Sequence, residues 1–84
     1  MLLATVLTLC FTSNQCDDYI IDTAVNKDDC YTALIIDSQK MSLAWKHPVA
    51  LREFLDNHKL FSVKVSDLTN YDYTCQAIQE EQIS

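Results

Sequence analysis

The sequence predicts a mainly β fold: a small, disulfide-stapled antiparallel sheet module with one short helix. Three observations point to it. Two stretches near the C-terminus alternate apolar and polar residues, the cysteines are scattered rather than clustered, and one segment alone shows an apolar period of helical length.

The clearest stretch runs from Phe61 to Ile78. Phe61, Val63 and Val65 alternate with Ser62, Lys64 and Ser66, the pattern of a half-buried strand. Asp67 to Asn70 supplies turn residues, and Tyr71, Tyr73, Cys75 and Ala77 then alternate in the same way. Earlier in the chain, Asp17 to Val25 reads as another strand, closed by a polar turn at Asn26 to Asp29. Cys30 to Asp37 is apolar on both alternations and suits a central strand covered on two sides. Met41 to Trp45 is its expected partner, with Trp45 filling core volume. From Pro48 the period lengthens: Leu51, Phe54, Leu55 and His58 share one face, which predicts a helix from Pro48 to about Asn57 with His58 partly buried at its end.

Eighty-four residues make one domain, and a domain this small commonly needs a covalent aid to stability. The N-terminal run Leu2 to Phe11 is almost wholly apolar and is followed by small or polar residues. It has the shape of a secretory signal peptide over residues 1–15, cleaved between Thr12 and Gln15, although no Lys or Arg precedes it. A buried strand is the other use for such a run. Cleavage leaves residues 16–84 as a single domain with Cys16, Cys30 and Cys75 in an oxidising compartment. Three pairings are open. Cys30 and Cys75 lie in strands expected to be buried neighbours, where a structural disulfide belongs, and Cys16 is then the candidate for an intermolecular disulfide and a covalent homodimer.

Composition excludes several functions. Twelve acidic against six basic residues give a formal charge of −6, so nucleic acid and anionic membrane surfaces are poor partners. After residue 15 no apolar run approaches the ~20 residues of a membrane helix. The chain has no glycine, which removes the Rossmann fingerprint, the phosphate-binding P-loop and the Gly-x-Ser-x-Gly elbow. Positive φ angles must then come from residues such as Asn26, Asn57 and Asn70. The paired aspartates at 17–18 and 28–29 lack the ligand spacing of a calcium loop, and His47 and His58 stand apart from the cysteines, so neither a metal nor a cofactor is expected. A cysteine nucleophile assisted by His47 or His58 needs a free thiolate, which a structural disulfide denies it.

Phe61, Val63, Val65 and Leu68, followed by Tyr73-Thr74-Cys75, resemble strands E and F of an immunoglobulin-like domain. The resemblance implies Cys30 on strand B, Trp45 on strand C, Cys75 on strand F and Tyr73 as the corner tyrosine. It departs from the pattern in its short Leu68–Tyr73 connection and in the helix that replaces strands. With the leader, Cys16 just after it and the Asp-Asp-Cys turn ending at Cys30, the chain is similar in outline to the secreted immunoglobulin-like accessory proteins of coronaviruses. That similarity implies a secreted, non-enzymatic protein-binding module that modulates immunity through a receptor or host factor. The alternative is a secreted α+β protease inhibitor of the cystatin-like kind, whose Gln-x-Val-x-Gly loop is missing here.

Overall fold

A run in which both alternations are apolar can be buried on two faces, and Leu2–Phe11 is used in that way. In the computed structural model, which describes residues 2–78, it forms β1, the central strand of a three-stranded antiparallel sheet. β2 (Cys16–Ala24) and β3 (Leu68–Ile78) flank it, giving the order β2-β1-β3. Thr5, Leu7 and Leu9 are buried on one face of β1, while Ala4 and Val6, pointing the other way by strand alternation, are buried between their cross-strand neighbours. The stretch expected to be the apolar part of a leader thus takes the role of a buried strand. Removing residues 1–15 would leave β2 and β3 with no strand between them.

Two helices cover one face of the sheet. α1 (Lys27–Ala44) starts at Asn26, whose Oδ1 accepts from the Asp29 amide at 2.8 Å, and Asp28 and Asp29 place negative charge in the first turn. Asn26 is therefore an N-cap with extended backbone. α2 (Pro48–Asn57) has the predicted bounds, with Pro48 at its start and Leu51, Phe54 and Leu55 buried. The core joins Leu7 and Leu9 of the sheet to Met41 and Ala44 of α1, to the buried face of α2 and to Val63.

Several expectations are corrected here. The fold is a sheet with a helical layer, not mainly β, and the antiparallel disulfide-stapled sheet is the part of the prediction that the structure contains. Cys30 to Asp37 and Met41 to Ala44 are one continuous helix; the run is apolar on both alternations because α1 bears apolar residues on its outward side as well. Trp45 caps that helix and packs against the core. Cys30 and Trp45 therefore lie on and beside a helix, not on the strands B and C that the immunoglobulin resemblance implies, and the described residues contain no second sheet. Phe61 to Lys64 is irregular and Val65–Asp67 is a short 3₁₀ turn, because the carbonyls of Leu60 and Val63 accept from the Arg52 guanidinium instead of from a strand. Positive φ falls on Asn14 and Lys59, not on Asn26, Asn57 or Asn70. Lys59 ends α2: its amide bonds Asp56 O at 2.9 Å and the Leu60 amide bonds Leu55 O at 2.8 Å, a Schellman closure in which glycine is the usual residue.

Candidate binding surface and its supports

The two disulfides decide which parts of the surface are held rigidly. Cys10 and Cys16 are cross-strand partners at the β1–β2 hairpin and are bonded to each other. Cys30, fully buried near the start of α1, is bonded to Cys75 of β3. All four cysteines are thus paired. Cys16, the candidate for an intermolecular bond, has an intrachain partner because β1 brings Cys10 opposite to it. No free thiol remains for the nucleophile that His47 or His58 was to assist. The partner Cys10 was hidden by its place inside an apolar run that resembles a leader.

The Cys30–Cys75 bond is accompanied by polar contacts in the same layer. Thr5, buried on β1, donates from Oγ1 to the Cys30 carbonyl at 3.4 Å. Just past the middle of α1, Asp37 is shared between two elements: His58 Nε2 at the end of α2 lies 3.1 Å from Oδ1, and Tyr73 Oη on β3 donates to Oδ2 at 2.8 Å. His58 also meets Phe54 edge-on, with ring centroids 4.7 Å apart. Tyr73 is therefore not a corner tyrosine bonded back to nearby backbone; it ties the sheet to α1. Burial holds its phenol well above the usual tyrosine range, and the hydrogen bond to Asp37, the Asp37 charge and Tyr71 act in the same direction. The rings of Trp45 and Tyr71 pack at a tilt beside this cluster, with centroids 4.8 Å apart.

With its inward side fixed by Cys30, Asp37, Met41 and Ala44, and with Ala33, Leu34 and Ser38 partly buried at its flanks, α1 presents its outer side to solvent. Tyr31, Ile35, Ile36 and Leu43 are 51%, 52%, 49% and 77% exposed. Leu43 continues into a shallow groove of about 300 Å³ between α1 and α2, walled by Lys40, Ala44, Ala50, Phe54 and Asn57. Val49 of α2 stands exposed as well. Four large apolar side chains standing in solvent among Thr32, Gln39 and Ser42 are more than a helix with a buried inward side needs, so the outward side of α1 is a candidate contact surface. Sequence reasoning missed it because the segment was assigned to a sheet. The signal present was the asparagine followed three residues later by aspartate, at the head of a run free of glycine and proline.

Among the described residues no group of His, Cys, Asp or Glu is arranged to hold a metal ion, and no helix is long and apolar enough to cross a membrane. Comparison of the chain with protein-family models, curated proteins and solved structures finds no match.

Proposed function

We propose that this chain is a non-enzymatic protein-binding module working in an oxidising, extracellular setting, and that it engages its partner through the outward side of α1. The observation that carries the reading is the row of exposed apolar residues on a helix whose inward side is already fully used. Two disulfides in so short a chain support the setting. The formal charge of −6 speaks against a polyanionic partner. Immune modulation through a host receptor is the specific form that the outline of the sequence suggests.

A photo-crosslinking side chain at Ile36 tests the reading against one at Thr23 on the sheet. Crosslinks to protein from position 36, absent at position 23 and abolished by Leu43→Glu, are expected; equal labelling at both positions would overturn it. Sequencing the N-terminus of the exported product tests the setting. A product that retains Leu2–Phe11 keeps Cys10 for Cys16, whereas one that begins near Cys16 exposes that thiol.

The protease-inhibitor alternative draws support from one feature, a helix lying against an antiparallel sheet and bonded to it through Cys30 and Cys75. Inhibition within a panel of cysteine proteases would favour it over the binding module.

A further inference from the structure

The outward side of α1 has an arrangement of charge that identifies one partner. Its two ends differ in net sign: Asp28 and Asp29 outweigh Lys27 in the first turn, while Lys40 lies near the last turn and Lys46 just beyond it. Between Tyr31 and Gln39 the only charged residue is Asp37, and both of its carboxylate oxygens are engaged inward by His58 and Tyr73. The exposed middle of the helix is therefore uncharged, and its midpoint falls between Ile35 and Ile36.

From this pattern we infer that the partner is a second copy of the same chain, paired through α1 against α1 in antiparallel fashion about a two-fold axis between Ile35 and Ile36. The inference rests on the reading of α1 as the binding surface. Antiparallel pairing about that midpoint places Asp28 of one copy opposite Leu43 of the other. Lys40 then lies about 4.5 Å along the axis from it, and Lys46 follows in the turn after the helix. Each acidic end meets a basic end, twice, as an isologous contact requires. A parallel pair would set like charges together at both ends. The net negative charge of each copy opposes approach only weakly, because at physiological salt charges beyond about 8 Å are largely screened.

The sheet edges are less suited to self-association. β2 carries Asp17, Asp18 and Asp22. On β3, the amides of Tyr71 and Tyr73 already donate to Asn70 Oδ1 and Asp72 Oδ1, at 2.9 and 2.8 Å.

Sedimentation equilibrium of the oxidised protein, combined with a charge exchange, tests the pairing. Wild type is expected to dimerise. Asp28→Lys makes both ends of the surface basic, and Lys40→Glu with Lys46→Glu makes both acidic. Each variant alone should show a dissociation constant raised by about tenfold or more, and an equimolar mixture of the two should recover the dimer as a heterodimer. Circular dichroism and a disulfide map establish that each variant is folded; Ile36→Glu, which sets a charge at the axis, supplies the same loss should either charge variant fail to fold. A wild type that stays monomeric at millimolar concentration would overturn the pairing, as would a mixture that associates no better than its components. In both cases crosslinking from Ile36 to a different protein would leave the binding-module reading intact.

Discussion

The two disulfides hold regions of contrasting kind. Cys10–Cys16 spans a sequence separation of 6 and closes a hairpin that the strand register already aligns. Cys30–Cys75 spans 45 residues and joins the helical layer to the edge strand β3, with Cys30 wholly out of solvent. In the chain-entropy account the short loop contributes about 2 kcal/mol and the long one about 4 kcal/mol. A small domain has only ~5 kcal/mol in total to lose. The hairpin bond thus reinforces local order, whereas the interlayer bond, with the Asp37 contacts, decides whether α1 stays on the sheet.

The largest effect is therefore expected from Cys30→Ala with Cys75→Ala. This pair should lose about 4 kcal/mol, most of what a domain of this size possesses, and show the largest fall in urea midpoint of any variant. If it remains as stable as the hairpin variant, the contrast fails. Cys10→Ala with Cys16→Ala should cost about 2 kcal/mol and leave a folded protein with α1 still protected in amide exchange.

Tyr73 sharpens the contrast through pH. Its folded pKa is raised above the ordinary tyrosine value of 10.0, chiefly by burial and then by Asp37, so folding favours the protonated phenol. The stabilisation is complete below pH 10, where the unfolded phenol is also protonated. It is lost progressively at higher pH, as the unfolded chain releases a proton that the folded one keeps. Thermal midpoints measured from pH 8 to pH 11 should fall at the alkaline end in the wild type, and Tyr73→Phe should flatten that fall. At neutral pH the same substitution should cost about 1 kcal/mol for the lost hydrogen bond. The smallest effect belongs to Lys59→Gly, outside both disulfide-bearing regions. Relieving a positive φ of 63° should raise stability by roughly 0.5–1 kcal/mol in either disulfide background.

How much of this was legible depended on how each segment is buried. β2, α2 and the Tyr71–Tyr73 part of β3 face the core on one side and solvent on the other, so their periods could be read directly. α1 has no such contrast, because Ile35, Ile36 and Leu43 face outward while Met41 and Ala44 face inward. β1 could be read as a leader or as a central strand, since both demand the same apolar run. The Asp37–His58–Tyr73 cluster joins residues from three elements, and only the partly buried state of His58 was foreseen. Lys59 at a left-handed position had no signal, since the residues that ordinarily mark one are glycine and asparagine.

Chain order carries a consequence for how the thiols find their mates. Four cysteines admit three connectivities. During synthesis from the N-terminus, Cys10 and Cys16 emerge almost together and are brought opposite each other by a local turn, long before Cys75 leaves the ribosome. A pair so close in sequence has a much smaller loop to close than Cys30 with Cys75, and once Cys10 and Cys16 are joined only the native partner is left for Cys30.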